Sequence, residues 1–259
     1  MKMQTEEHRA TIVEQFSRQA VPFAQVPGHL DSIGLLMELA EVGGSDTVLD
    51  VACGPGIVAC AFAKVAAHVT GIDITPAMIE EAEKRQRQER LNNMSWEVGE
   101  AVPLPFPDNS FSLVVTRYSF HHLLHPERAL AEMIRVCRPG GRVLVADVSL
   151  EARHSAPYDR LEVMRDPSHT HALTHEEFDA LFRRSTLRDC RRSAYGVDIA
   201  LETQLAASFP NPGDKEKLRE MVTQDIGVDS FGINARYRDG AVWYTCPISV
   251  YVGRKVPIG

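Results

Sequence analysis

The sequence predicts an α/β fold built around a parallel sheet, and two observations support that prediction. From residue 47 to 148, short β-branched runs alternate with stretches of helical periodicity. This alternation is typical of βαβ units, in which successive strands lie parallel. Several runs, such as "TVLDVAC" and "RVLVADV", are apolar on both faces, as expected of strands that helices cover on either side.

The segment before the first predicted strand is expected to be helical. Helical periodicity is visible in "HRATIVEQFSRQA" and "LDSIGLLMELAEV", and breaks occur at "VPGH" and "GGSD". We therefore expect an N-terminal helical cap over residues 1–45, followed by a core over residues 46–150.

Beyond residue 150 the pattern is less even. Thr174 stands three residues before Glu177, a spacing typical of a capping box at a helix start. A strand is expected near 190–199, two helical stretches between 201 and 226, and a closing strand or hairpin in "AVWYTCPISVYVGRK". Residues 151–259 are thus assigned to the rest of the sheet and to a helical insertion on the substrate side. We expect the three segments, 1–45, 46–150 and 151–259, to form one compact domain.

Composition restricts the classes of function. The chain has 259 residues, a net charge of -7 and no long Lys/Arg block, which argues against nucleic acid as the main ligand. It shows no apolar signal core and no run of about 18 apolar residues, so we expect a cytoplasmic protein without a membrane partner. We expect this protein to be a monomer or a homodimer. The scattered cysteines and histidines lack the spacing of metal ligands, so no metal site is expected.

The first predicted strand ends in a turn of small residues, "DVACGPG". Gly54 and Gly56 let backbone N–H groups approach a ligand closely, and the following helix start favours negative charge there. Dinucleotides and S-adenosylmethionine both suit such a turn. Asp50 would oppose a nearby pyrophosphate but can receive an ammonium group, which favours S-adenosylmethionine.

Two further strand ends supply candidate ligand groups. Asp73 ends the next strand, 19 residues after Gly54, and a carboxylate there can accept both ribose hydroxyls of an adenosine. Glu100 and Ala101 follow the third strand, where a side chain can accept from the adenine amino group and a backbone N–H can donate to the ring. Gly54, Gly56 and Ala59 together satisfy the loose fingerprint of dinucleotide-binding proteins. The positions of these small residues therefore do not by themselves exclude NAD.

These residues lie in four blocks that carry a resemblance to a known family. In order, the blocks are "VLDVACGPG", "VTGIDITPAMIEEA", "EAVPLPFPDNSFSLVVTRYSFHHLLHPERALAEMIRVCRPGG" and "RVLVADV". The chain resembles class I S-adenosylmethionine-dependent methyltransferases, particularly the subgroup related to ubiquinone/menaquinone C-methyltransferases, of the methyltransferase domain 11 type. The resemblance implies a Rossmann-like three-layer sandwich. Its mostly parallel seven-stranded sheet would have an antiparallel last strand, with the N-terminal helices and the C-terminal insertion forming a cap.

The resemblance also implies S-adenosyl-L-methionine as cofactor, a small-molecule methyl acceptor and specific residue roles. The methionine end would be held by Asp50, Gly54, Pro55 and Gly56, and the ribose by Asp73. The adenine would contact Glu100, Ala101, Ile74 and Met78. Phe16 of the first helix would cover the cofactor, with Phe23 as the second choice.

The loop after the fourth strand, "TRYSFHHLLHPERA", is expected beside the methyl group because ligands sit beyond the carboxyl ends of parallel strands. Imidazole titrates near neutral pH, so His122 is the first candidate for a catalytic proton acceptor and His121 the second. Arg117 could approach the methionine carboxylate. Further on, the polar side chains of Arg165, Asp166, His169 and His171 could enter over the substrate mouth.

The sequence therefore predicts a methyltransferase that acts on an O, N, S or activated C acceptor by in-line displacement. Two alternatives stay open, an NAD-dependent oxidoreductase of Rossmann type and a non-catalytic nucleoside-binding module. The first would be favoured by a third glycine at position 59, where the sequence has alanine. The second would be favoured by loss of Asp73, which is present.

Overall fold

The computed structural model describes residues 2–24 and 32–256, with side chains from residue 5 to 22 in the first segment. A mixed sheet forms its centre. The strands are β1 (Thr47–Val51), β2 (His68–Asp73), β3 (Met94–Val98), β4 (Phe111–Arg117), β5 (Cys137–Val148), β6 (Leu187–Ala200), β7 (Arg236–Arg238) and β8 (Ala241–Lys255). The helices are α1 (Lys2–Ala24), α2 (Ile33–Ala40), α3 (Ile57–Ala63), α4 (Pro76–Glu89), α5 (Pro126–Val136), α6 (Ala152–Arg165), α7 (His175–Arg184), α8 (Leu201–Ala206) and α9 (Asp214–Gln224), with a short 3-10 helix at Phe120–His122.

The strands pair in the order β3-β2-β1-β4-β5-β8-β6, and the short β7 pairs with β8. Strands β1 to β5 run parallel to one another, whereas β8 is antiparallel to both β5 and β6. This arrangement, with helices on both faces, confirms the predicted Rossmann-like fold class and its antiparallel last strand. The three-residue strand β7 is an addition that the sequence did not indicate.

Successive residues of the central strands bury their side chains on opposite faces of the sheet. Val48 and Leu113 belong to one apolar cluster, whereas their neighbours Leu49 and Val114 belong to the other. Helices cover each cluster, so both faces exclude water. This double burial is why β1 and β4 are apolar at consecutive positions.

The C-terminal part contains the predicted capping box. Thr174 Oγ1 accepts a hydrogen bond from the N–H of Glu177 at 3.1 Å, and Glu177 Oε2 accepts from the N–H of Thr174 at 2.8 Å. Helices α8 and α9 form the predicted insertion between β6 and β8. The divisions at residues 45 and 150 stay predictions, and the break expected at "VPGH" lies outside the described residues.

Across the described part of the chain, no helix has both the length and the apolar character needed to cross a membrane.

Candidate active site

A cavity lies where the strand order reverses between β1 and β4, at the carboxyl edge of the sheet. Reversal points of this kind leave a crevice in which α/β proteins bind ligands. Asp50, Asp73 and Arg117, at or near the ends of β1, β2 and β4, line the cavity, and Phe16 of α1 lines it from the other side. We call it the strand-end cavity.

Asp50 is a buried carboxylate without a full set of partners. Only 1% of its surface is exposed, and within the described residues its Oδ2 has no hydrogen-bond partner. Burial raises the pKa of this carboxyl to about 7, although the positive charge of Arg117 acts in the opposite direction. A buried carboxylate oxygen without a donor is costly, and a cationic donor in the strand-end cavity would relieve that cost.

The turn after β1 contains three residues in the left-handed region, namely Ala52, Gly54 and Gly56, with φ of 54°, 52° and 74°. Gly54 lines the strand-end cavity together with Pro55. Gly56 is not among the residues that line it. A Cβ at position 56 would come within 2.9 Å of atoms of Ala82 and Trp96, so this glycine allows α4 and β3 to pack closely.

Asp73 links the glycine turn to the end of β2. Its Oδ2 accepts from the N–H of Gly54 at 2.9 Å, and its Oδ1 accepts from the N–H of Thr75 at 2.8 Å. Burial raises its pKa above the ordinary value, although both backbone donors oppose this effect. With 8% exposure, Asp73 is not a freely exposed strand-end side chain. Each carboxylate oxygen keeps a lone pair that can accept from a ligand.

The residues predicted around the adenine are divided between two places. Ile74, Met78 and Ala101 line the strand-end cavity. Glu100 lies at a wider opening beside it, where its Oε1 is 2.6 Å from Nη1 of Arg9 in a solvent-accessible ion pair. Any ligand contact to Glu100 must therefore compete with this ion pair.

Helix α1 crosses the strand-end cavity. The Phe16 ring packs edge-on against the His122 ring, with centroids 5.0 Å apart. Nε2 of His8 donates to the carbonyl oxygen of His122 at 2.7 Å, which joins the helix to the loop after β4. The side chain of Phe23, the second choice for covering the cofactor, lies outside the described part of the chain.

A second, smaller cavity adjoins the first. We call it the inner cavity; Phe16, Tyr118 and His122 line both cavities. Its volume is about 90 Å³, against about 150 Å³ for the strand-end cavity. One side is apolar and includes Val148, Val197, Ile199 and Ile248, and the other is polar and includes His121, Glu162, Arg165 and Asp166. The structure thus brings Arg165 and Asp166 to the space beside the two candidate histidines. His169 and His171, which were expected there too, are not among the residues that line the inner cavity, and both contact Asp159.

His121 is anchored by a buried carboxylate. Its Nδ1 is 2.5 Å from Oδ1 of Asp147, which also accepts from the N–H of Val148, while Oδ2 of Asp147 accepts from the N–H of Phe120. Burial alone would lower the pKa of His121, but the charge of Asp147 and its hydrogen bond raise it above the ordinary value. The ring lines the inner cavity.

His122 has a different environment. Its Nδ1 lies 3.1 Å from the carbonyl oxygen of Ser168, so it donates there, and the residue is 6% exposed. Burial and then the neighbouring His121 lower the pKa of His122 to about 3. The His122 imidazole is therefore neutral at physiological pH, and it forms part of the wall between the two cavities.

Sequence reasoning missed Asp147, Glu162 and the left-handed Ala52. A signal for Asp147 was present, because it stands near the end of an apolar strand in the same way as Asp50 and Asp73. Glu162 gave no such signal, since a carboxylate three residues before Arg165 usually forms a surface ion pair. Among the described residues, no group of three or more His, Cys, Asp or Glu is placed to hold a metal ion.

A doubly wound sheet with an antiparallel last strand, and with a crevice lined by carboxylates at two neighbouring strand ends, defines the class I methyltransferase type of Rossmann-like protein. Comparisons with known proteins agree. The methyltransferase domain family matches residues 49–145. The uncharacterized methyltransferase YcgJ of Bacillus subtilis (strain 168) is 30% identical over 195 residues, which is 72% of this chain and 74% of that protein. Its crystal structure is similar with a TM-score of 0.79 at 23% identity, covering 88% of this chain and 99% of that chain.

The chain belongs to this methyltransferase family, which confirms the resemblance and the enzyme class predicted from the sequence. The ubiquinone/menaquinone biosynthesis C-methyltransferase UbiE of Ruegeria sp. (strain TM1040) is 36% identical over 122 residues. That match covers 46% of this chain and 47% of UbiE, so the chain spans about half the length of this relative. This partial match does not decide the acceptor.

Proposed function

We propose that the chain transfers a methyl group from S-adenosyl-L-methionine to a small-molecule acceptor. The observation that carries the proposal is the buried carboxylate of Asp50. The residue lines the strand-end cavity, and its Oδ2 has no partner among the described residues. The ammonium group of a methionine moiety is the cationic donor that this oxygen needs. A dinucleotide would instead place a pyrophosphate beside a carboxylate, and like charges repel.

The residues of the strand-end cavity fit the rest of this cofactor. Asp73 keeps acceptor capacity for ribose hydroxyls after its two backbone hydrogen bonds. Ile74 and Met78 provide an apolar wall for adenine, and the backbone at Ala101 lies beside them. When bound, the cofactor supplies a methyl group that the positive sulfur already activates.

The chain's own residues then have to hold an acceptor in line and keep water away. The acceptor belongs in the inner cavity, because this space adjoins the strand-end cavity at Phe16, Tyr118 and His122. Tyr118 is held there by backbone in the left-handed region, with φ of 60°, and by a 3.0 Å hydrogen bond between its hydroxyl and that of Tyr195. The apolar side of the inner cavity favours a small organic molecule over an ion.

Calorimetric titration tests the cofactor. We expect S-adenosyl-L-methionine and S-adenosyl-L-homocysteine to bind and NAD⁺ to give no heat of binding. Binding of NAD⁺ without binding of S-adenosyl-L-homocysteine would contradict the proposal and support the oxidoreductase alternative. A metabolite library screened for release of S-adenosyl-L-homocysteine then tests the transfer. Tight cofactor binding with no release from any acceptor would support a non-catalytic nucleoside-binding module.

A further inference from the structure

The contact between His121 and Asp147 has a geometry that fixes one nitrogen and leaves the other available. Asp147 is 1% exposed, and its Oδ1 accepts from Nδ1–H of His121 at 2.5 Å. The neutral imidazole therefore carries its proton on Nδ1 and its lone pair on Nε2. Within residues 5–22 and 32–256, Nε2 has no hydrogen-bond partner, and the ring lines the inner cavity.

The surroundings of His121 favour a positive charge on its ring. Charged and titratable groups face it from several elements: Asp147 of β5, Tyr158, Glu162 and Arg165 of α6, Asp166 and His169 of the following loop, Tyr244 and Cys246 of β8, Tyr118 after β4, and His122 of its own helix. Helix α1 and strand β6 line the inner cavity with uncharged residues.

Negative charge predominates among these groups. The pKa values of Asp147, Glu162 and Asp166 are all held low despite burial, so the three carboxylates are ionised at neutral pH against the one guanidinium of Arg165. Both nitrogen atoms Nε and Nη2 of Arg165 donate to Glu162, which leaves that pair close to neutral. The remaining negative charge, on Asp147 and Asp166, repels an anionic acceptor and stabilises a protonated His121.

We propose that Nε2 of His121, oriented by Asp147, takes a proton from the acceptor during methyl transfer, and that the acceptor is a neutral molecule with a hydroxyl or thiol group. The inference rests on the proposed function and deepens it by naming the base and the acceptor class. His122 donates from Nδ1 to a carbonyl oxygen rather than to a carboxylate, and burial with the neighbouring His121 lowers its pKa to about 3. It is therefore a weak base, and with its ring packed against Phe16 it acts as a wall residue.

Atoms and charge balance in this step. The acceptor oxygen or sulfur gives its proton to Nε2 and uses an electron pair to form the bond to the methyl carbon. The electron pair of the broken carbon–sulfur bond stays on the cofactor sulfur, which becomes neutral. The positive charge therefore passes from the sulfonium to the imidazolium of His121, beside Asp147, and the proton later leaves to solvent.

Nitrogen NMR of the histidine rings tests the base without any acceptor. The full chain, labelled with ¹⁵N-histidine and saturated with S-adenosyl-L-homocysteine, is titrated between about pH 5 and 10, and a His121→Asn variant assigns the signal. We expect the neutral His121 ring to carry its proton on Nδ1 and to titrate above the ordinary histidine range, whereas in Asp147→Asn it titrates lower. A neutral ring protonated on Nε2 would overturn the proposal.

Kinetics with the acceptor identified by the release screen give the second test. Asparagine at position 121 can keep the donor to Asp147 but has no basic nitrogen, and asparagine at 122 is the matched neighbour that keeps the donor to Ser168. We expect His121→Asn to lower kcat by about 10²- to 10⁴-fold, with unchanged affinity for S-adenosyl-L-homocysteine. The deficit should shrink at high pH, where the acceptor ionises unaided. His122→Asn should retain the rise of kcat with pH.

The outcomes separate the two proposals. If His121→Asn keeps the wild-type rate and pH profile, the base is refuted while the methyltransferase function stands. An acceptor without an ionisable hydroxyl or thiol, such as a tertiary amine or a preformed carboxylate, would refute the acceptor class. If the chain binds no cofactor, the proposed function fails, and the NMR titration of the free protein still decides whether His121 has the tautomer of a base.

Discussion

Replacing Asp50 by asparagine separates its role in cofactor binding from its cost to the fold. Raising its pKa from 3.8 to about 7 corresponds to about 4 kcal/mol against the ionised form, at about 1.36 kcal/mol for each pKa unit. Because the folded protein holds this proton more tightly than the unfolded chain, the free energy of unfolding falls as the pH rises from about 4 to about 7. At about pH 8 the full cost applies. We therefore expect Asp50→Asn to be more stable than wild type there, by up to about 4 kcal/mol, and not at about pH 4.

Two measurements check this prediction. Urea unfolding of the free protein at each pH gives the difference in free energy of unfolding. Calorimetry with S-adenosyl-L-homocysteine should show binding weakened by about 30-fold or more, since removing one partner of a buried charge pair costs about 2–5 kcal/mol. At about pH 6, wild-type binding should release protons as Asp50 ionises, so the apparent enthalpy should vary with the ionisation enthalpy of the buffer. Binding by the variant should release none from this group.

Asp46→Asn is the matched control, because Asp46 is a buried carboxylate immediately before the same strand. Hydrogen bonds from Ser112, the N–H of Gly43 and Arg142 lower its pKa even though burial opposes them. We expect this variant to lose stability at about pH 8 and to keep its affinity for S-adenosyl-L-homocysteine. The reasoning would be refuted if Asp50→Asn were no more stable than wild type at about pH 8, or if it bound the nucleoside equally well.

Three further changes have definite expected outcomes. Gly56→Ala should destabilise the fold by at least about 2 kcal/mol in urea unfolding, because it adds left-handed strain to a Cβ clash with α4 and β3. Asp73→Asn should weaken S-adenosyl-L-homocysteine binding and also cost about 1–3 kcal/mol of stability, because an amide NH₂ must then face a backbone donor such as the N–H of Gly54; unchanged stability would show that these backbone contacts do not matter. The hydrogen bond to Asp159 and then that to Glu177 raise the pKa of His171 to about 9 although burial opposes them, so His171→Gln should lose about 1 kcal/mol near pH 6, a modest value because the ring is partly exposed. That difference should vanish as the pH rises through about 9, and a loss independent of pH would contradict the assignment.

The parallel half of the sheet could be predicted because both of its faces are buried, which makes β1 and β4 apolar at consecutive positions. The antiparallel half gave weaker signals. In strand β6 every residue from Arg188 to Arg192 is exposed, and this run has no alternation that a periodicity argument can use. Strand β7 has three residues, too few for any period to be visible.

Among the candidate ligand groups, too, the sequence indicated some and could not indicate others. Asp50 and Asp73 could be proposed because each stands at or near the end of a strand, and parallel strands bring their carboxyl ends to one edge. The contact between His121 and Asp147 joins residues 26 positions apart, on the loop after β4 and on β5. Nothing in the spacing of these two residues encodes the contact, because it depends on how β4 and β5 pair. The ion pair of Glu100 with Arg9 likewise depends on where α1 packs.

The adjacent histidines show most directly why composition could not rank the catalytic candidates. In a 3-10 helix, with three residues per turn, successive side chains leave the backbone in directions about 120° apart. His121 therefore meets Asp147 of β5, whereas His122 meets Ser168 and the Phe16 ring. One imidazole is paired with a carboxylate and the other with a carbonyl and an aromatic edge, so identical side chains have pKa values shifted in opposite directions. The partner of each imidazole, rather than the ring itself, therefore sets its basicity. Removing the charge of Asp147 should lower the basicity of His121 more than removing His122 would, although Asp147 does not line the inner cavity.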